Sequence, residues 1–339
     1  MKRALRICGI LLVAIAAAGV IHGPAAAQTY KTEYRLSSTL GKPFPWGYGA
    51  ERWAELVREK TDGRINIKVY NGQTLTGGDQ SREFTALRQG IIDMAYAAPL
   101  NWVPQVHQMN IFAMPFLFPS TNAADGALAG TLGAELFKIL RAQGVEPLAW
   151  GENGYREISN SQRDIRSPGD LKGLKIRVIG SSLLLDMFAE LGANATTMSW
   201  ADAQPALSTG AIDGQENALV TFNVSKLHQV GQKHLTLWGA VYEPLILAVN
   251  RRTWESWSPD DQAAVREAAR EAARYQIDLS RKLTDQLVSE IRGHGVSIVQ
   301  LSEAQRQEFI QATRESYKKW AEKIGPKLVE VAENEVTAH

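Results

Sequence analysis

The sequence predicts an α/β protein of two lobes with a hinged cleft between them. Three observations carry that expectation. Short apolar runs alternate with helical patterns twice, first over residues 34–97 and again over residues 174–217. Strand–helix–strand units of this length imply parallel strands joined by crossover helices. Between the two halves, Gly151 to Gly154 is loop-like and reads as a crossing, and Tyr242–Asn250 reads as an apolar return to the first half. Lastly, Ser258-Pro259-Asp260-Asp261 is a strong helix start, and no breaker follows before Gly293. About 34 residues of helix measure ~50 Å at 1.5 Å per residue, whereas a lobe of about 150 residues is only ~40 Å across. Such a helix reaches along both lobes. Two lobes joined by several crossings form a cleft that can open and close.

In chain order, residues 1–27 read as a secretory leader. Lys2, Arg3 and Arg6 form its positive end, Ile7–Ile21 its apolar middle and Ala25-Ala26-Ala27 its cleavage site. The apolar run is short of the ~20 residues a spanning helix needs, and no later stretch is long and apolar enough to cross a bilayer. The single cysteine, Cys8, lies in the leader. The mature chain therefore lacks thiols, disulfides and cysteine-based catalytic or metal sites. Lysine and arginine number 37 against 36 acidic residues; removing the leader's three cations leaves 34 against 36, a net charge of −2. This balance gives no general pull toward nucleic acid or an anionic membrane.

Tyr34–Thr39 reads as a strand, followed by the loop Gly41–Gly47 and a helix Tyr48–Lys60. Ile65, Ile67 and Val69 alternate as a strand does. Asp79 caps a helix Gln80–Arg88, Gly90 ends it, and Ile91–Ala97 is a third strand. Pro104 and Pro115 then break up the apolar, aromatic stretch Trp102–Phe118, with Pro99 and Pro119 on either side of it. A helix Ala123–Gln143 and a strand Val145–Trp150 precede the crossing. Ser302–Gln305 matches a capping box for a helix to about Ile324, and Lys327–Glu335 reads as a last helix. One lobe is expected to take residues 28–152 and about 242–280, the other 153–241 and about 281–335.

The most informative stretch is Leu171 to Asn217. Leu174–Ile179 is a short strand with Arg177 near its end. Ser181 or Ser182 caps a helix Leu183–Leu191, Ala195–Met198 is a second strand, and a helix Ala201–Ser208 stops at Gly210. Ile212 leads into Gly214-Gln215-Glu216-Asn217. Ligands in open α/β sheets sit outside the carboxyl ends of strands, and Arg177, Trp200 and Asn217 all fall there. Arginine presents a planar fork that binds a carboxylate bidentately; a structural arginine at a strand end is the alternative. The run LKGLKIRV…SW…ALSTGAIDGQENAL resembles the solute-binding proteins of tripartite ATP-independent periplasmic (TRAP) transporters, the DctP-type family, and the similarity continues through most of the mature chain. That family usually has proline after the asparagine, where this chain has Ala218.

The resemblance implies a periplasmic-binding-protein fold with a long helix bridging both domains. It implies an extracytoplasmic protein that captures a small organic acid by cleft closure and delivers it to a two-part, ion-driven membrane permease. It places the carboxylate-binding arginine at Arg177, an amide donor at Asn217, a second ligand-facing arginine at Arg156 and a ligand-packing aromatic at Trp200. Arg156 could instead pair with its neighbour Glu157. Trp46 and Trp102, in loops after strands of the first lobe, are candidates for the opposite wall. Glu83 matches a region that touches ligand in some relatives. Tyr242 lies at a crossing, as hinge or wall. Asp213 and Glu216 could form a metal pair, but loop-fixing roles fit them better, and no metal or cofactor is expected. The histidines show no metal-ligand spacing, and no nucleophile-elbow, Walker or dinucleotide motif is present. A monomeric binding protein, not an enzyme, is therefore the reading. A secreted metal-dependent enzyme, or the binding component of another importer or a sensor, are the alternatives.

Overall fold

The computed structural model describes residues 30–338; the leader reading lies outside the described residues. The first half is a βαβαβ unit of β1 (Tyr34–Ser38), α1 (Pro45–Lys60), β2 (Ile67–Tyr70), α2 (Glu83–Gln89) and β3 (Met94–Ala97), with β1 parallel to both other strands. Two helices, α3 (Thr121–Ala129) and α4 (Thr131–Ala142), lead to β4 (Val145–Asn160). The second half repeats the pattern with β5 (Lys175–Val178), α5 (Ser182–Glu190), β6 (Asn194–Thr197), α6 (Trp200–Thr209) and β7 (Gly214–Ala218). Here β5 is the parallel centre. Then come α7 (Leu219–Val224), β8 (His234–Asn250), α8 (Arg251–Glu255), α9 (Pro259–Gly293) and β9 (Ser297–Gln300). The chain closes with α10 (Glu303–Ala312), α11 (Arg314–Ile324) and α12 (Pro326–Ala338).

The nine strands of the described residues belong to one sheet, in the order β2-β1-β3-β8-β4-β7-β5-β6, with β9 beside β8. The long antiparallel pair β4 and β8 joins the two parallel halves. This corrects the expected loop at Gly151 to Gly154. The crossing is made by an unbroken strand whose register shifts between Glu152 and Gly154. A bulge bends a strand without ending it, so its glycines read as a loop. The expected helix Ala123–Gln143 is two helices, because the backbone leaves the helical region at Gly130. The expected helix to Ile324 is likewise two, broken at Thr313.

Three apolar clusters hold the lobes. One face of the sheet carries a core that runs through both halves, from Phe84 and Leu136 to Phe188, Trp238 and Trp320. The other face carries two separate clusters, one around Trp53 and Ala268, the other around Phe222 and Leu287. Helix α9 contributes to both of these, so it spans the lobes as its length required. Ser258 caps it by accepting from the Asp261 amide at 3.1 Å. Ala268, Ala269, Ala272 and Ala273 let it approach the first lobe closely, and Leu287 and Ile291 bury against the second. At the crossing, Gln276 donates to the Glu152 carbonyl at 2.7 Å and accepts from the Glu152 amide at 2.9 Å. The α/β, two-lobed expectation with its bridging helix is borne out.

Candidate functional site

A small cavity of about 30 Å³ lies where the carboxyl ends of both parallel halves face each other. Trp46 and Thr39 line it from the first half, Arg177, Trp200 and Asn217 from the second, and Arg156 and Glu243 from the crossing strands. The walls touch: the Trp200 amide donates to Gln80 Oε1 at 3.2 Å across the gap.

Strand alternation positions Arg177. Ile176 and Val178 enter the apolar core, so the residue between them turns to the other face. There it is 1 % exposed. Its Nε and Nη2 both donate to the Met198 carbonyl, at 2.9 and 2.8 Å, just beyond β6. Trp200 lies against it, 5.8 Å from ring centroid to guanidinium carbon. Among the described residues no carboxylate forms an ion pair with Arg177. Burial pulls its pKa down to about 10, with Glu216 and Glu243 opposing and Arg156 reinforcing the shift. It remains a cation at neutral pH.

Arg156 is also buried and lines the cavity, yet its surroundings differ. It pairs through Nε with Glu216 and through Nη1 with Glu243, and Nη2 donates to the Glu216 carbonyl at 2.9 Å and to its Oε1 at 3.0 Å. The suggested partner, Glu157, is not used. Successive strand residues point to opposite faces, and Glu157 accepts instead from the Trp238 and Gly239 amides. Glu216 is therefore an ion-pair partner, while Asp213 fixes its loop by accepting from the Lys175 amide at 2.8 Å.

Asn217 lies on β7, which pairs with both β4 and β5. The Ala218 amide donates to Asn217 Oδ1 at 2.9 Å, a bond that the usual proline could not make. The carbonyl end of the side chain is held, and the amide end has only a 3.4 Å contact to Gln215. Gly214 is fixed by packing, since a Cβ there would stand 2.2 Å from the Ser159 carbonyl.

Of the first-lobe candidates, Trp46 lines the cavity from the first turn of α1, not from a loop, and donates to the Tyr96 carbonyl at 2.6 Å. Trp102 and Glu83 do not line it. Trp102 ends a 3-10 turn, packs on Phe84 and donates to Glu83 Oε2 at 3.2 Å. Glu83 also accepts from Ser37 and Gln73, both at 2.8 Å, and Gln73 reaches Thr39 of the cavity wall at 2.8 Å. The carboxyl thus stands behind the wall. Tyr242 donates to Glu152 at 2.9 Å at the crossing and does not line the cavity. Sequence reasoning missed Glu243, a wall residue. The signal available was a lone carboxylate inside the apolar strand Tyr242–Asn250, where an unpaired charge is costly.

Burial pushes the Glu83 carboxyl from 4.5 up to about 7, against its three donors. The folded protein therefore keeps this proton where the unfolded chain has lost it. Stability falls as pH rises from about 4.5 to about 7, and the loss is complete above that. Glu83→Gln should flatten part of the decline in melting temperature over this window. Parallel wild-type and variant curves would count against it.

Two α/β lobes that share a cleft, with a buried, unpaired cation at its wall, define a class of proteins that close on an anionic solute. The model for "Bacterial extracellular solute-binding protein, family 7" matches residues 36–323, and the chain belongs to that family, the solute-binding proteins of TRAP transporters. A TRAP periplasmic solute-binding protein from Ralstonia eutropha H16, solved with (S)-2-acetolactate bound, is 50% identical over 91% of this chain and all of that one, with a TM-score of 0.90. The 2,3-diketo-L-gulonate-binding periplasmic protein YiaO of Escherichia coli K12 is 32% identical over 81% of each chain. The C4-dicarboxylate-binding periplasmic protein DctP of Rhodobacter capsulatus is 27% identical over 97% of this chain and 94% of its own. Proteins of this class bind small acid ligands and work with membrane permeases.

Proposed function

We propose that this protein holds the carboxylate of a small organic acid on Arg177, closes its two lobes around it and presents it to the membrane subunits of a TRAP permease. The observation that carries the reading is a buried guanidinium in the interlobe cavity that forms no ion pair with a carboxylate among the described residues. In an open cleft that group is hydrated; closure without an anion leaves it desolvated and uncompensated, which is costly. An anion therefore shifts the population toward the closed form. Asn217 donates its amide to the same carboxylate, while Trp200 and Trp46 pack on the rest of the molecule. Arg156, largely occupied by two glutamates, frames the site, and Glu83 with Trp102 supports the first-lobe wall.

In this reading residues 28–152 with about 242–280 move against residues 153–241 with about 281–335. The protein works in the periplasm once the leader is removed, as a monomer and without catalysis, cofactor or metal. Neither nucleic acid nor the lipid bilayer is a partner. The acids that relatives bind, acetolactate, diketogulonate and C4-dicarboxylates, support the substrate class. Melting curves with a panel of organic acids and their uncharged amides test it. The acids should raise the melting temperature and the amides should not. Equal shifts from an acid and its amide would reject the reading.

A further inference from the structure

The sheet of the first half ends in an open edge, and a second cavity lies along it. Strand β7 pairs with β4 only from Arg156 onward, so among the described residues β4 from Val145 to Glu152 has β8 on one side and no strand on the other. Helix α9 packs on one face of this edge, α3 and α4 on the opposite face. Between them runs a groove of about 480 Å³, within the size range of small-molecule sites. Leu128, Phe137, Leu148 and Trp150 form its floor. Phe137 and Trp150 stack with ring centroids 4.9 Å apart, and both stay partly exposed. The rim is cationic. Arg266, Arg270 and Arg274 recur at four-residue spacing on α9 and so share a face. Arg266 pairs with Glu146 at 2.8 Å. Arg270 and Arg274 line the groove and form no ion pair among the described residues. The acids nearest to them on the helix, Glu267 and Glu271, reach back to Lys60 and Arg52 on α1 instead. We propose that this groove is a second binding site, separate from the interlobe cavity, for a small amphipathic anion: an apolar ring or short chain bearing one anionic group.

Charge and shape select that class. Arg270 and Arg274 line the groove against one carboxylate, Asp125, so the lining is two cations to one anion, a net charge of +1. Directly behind, Arg281 binds both Asp125 at 2.7 Å and Glu152 at 2.5 Å. Counting that pair in, three cations face two carboxylates and the balance is still +1, which one anionic group neutralises. The apolar body follows from the floor. Water covers leucine and stacked aromatic rings at a cost in free energy, and an apolar guest releases that water. A bare inorganic anion leaves the floor wet, and a cation meets two guanidiniums. A protein strand is poorly served by the edge, because Pro147 has no N–H to give and Gln276 already occupies both backbone groups of Glu152. Arg177 lines the interlobe cavity and not this groove, so the two sites stand or fall separately.

Calorimetric titration of the full mature protein tests this with naphthalene-1-sulfonate, naphthalene-1-sulfonamide, 1-naphthylmethylammonium and inorganic sulfate. The sulfonate should bind, and more tightly than the other three. Arg270 and Arg274 are exposed, so each contributes on the scale of a surface ion pair. The sulfonate should therefore exceed the uncharged sulfonamide by about two- to thirtyfold, and Arg270→Ala/Arg274→Ala should remove about the same factor. Alanine is the best helix former at such exposed positions, so this variant keeps the fold. Arg177→Ala should leave the sulfonate affinity unchanged. No binding of the sulfonate would overturn the proposal, as would equal binding of the sulfonamide, the ammonium or sulfate, or an unchanged affinity in the double variant. Loss of sulfonate binding in Arg177→Ala would put the probe in the interlobe cavity; it would overturn this second site and leave the carboxylate reading standing.

Discussion

Arg177→Ala should weaken binding of the protein's organic acid by about 10²- to 10⁴-fold. A bidentate carboxylate contact supplies two charge-assisted hydrogen bonds at roughly 1.5–3 kcal/mol each, and every 1.4 kcal/mol is a factor of ten. The guanidinium is already oriented, because the Met198 carbonyl holds Nε and Nη2. Little ordering entropy is then left to lose when the ligand arrives. Nη1 donates to no protein acceptor among the described residues, so its protons are available. Arg177→Lys separates geometry from charge: an ammonium keeps the cation and loses the fork. It should recover only a minor part of the affinity, and titration of wild type and both variants with one acid measures each part. Undiminished binding in Arg177→Ala would mean that the carboxylate is held elsewhere. Undiminished binding in Arg177→Lys would mean that charge alone suffices.

The part of this site that sequence exposed is the part governed by strand ends. Arg177, Trp200 and Asn217 each follow a short strand in a parallel unit, and parallel topology gathers such positions at one edge. The repeated βαβαβ pattern and the capped helix at Ser258 were legible for the same local reasons. What local reading could not supply is pairing between distant segments. Arg156 has Glu157 beside it in sequence, yet its partners are 60 and 87 residues away, on β7 and β8. Glu243 looked like part of an apolar strand, and only the sheet order puts that strand at the cavity. Glu83 and Trp102 are close to the wall but turn inward, toward each other and Phe84. The glycines at 151 and 154 hid a strand, because a bulge and a loop use the same residue.

The contrast between the two arginines gives the largest expected effect on stability. Both are buried and both line the cavity, but removing them leaves opposite situations behind. Without Arg177, the unliganded protein loses a desolvated charge that forms no ion pair among the described residues, along with two bonds to one carbonyl. Without Arg156, Glu216 and Glu243 face each other unpaired at the strand crossing, and Glu216 also has only the Ile179 amide at 3.2 Å left to it. Removing one partner of a buried ion pair costs about 3–5 kcal/mol. Each kcal/mol lowers the melting temperature of a chain approaching this size by roughly 2–4 °C, so Arg156→Ala should melt on the order of 10 °C lower than wild type, measured without ligand. Arg177→Ala should stay close to wild type or slightly above it. The pKa values move in the same sense: burial, with Arg156 adding to it, pulls Arg177 down, whereas two carboxylates hold Arg156 above its ordinary value in spite of burial. A melting temperature for Arg156→Ala within a degree or two of wild type would mean that these two buried ion pairs contribute little to the fold.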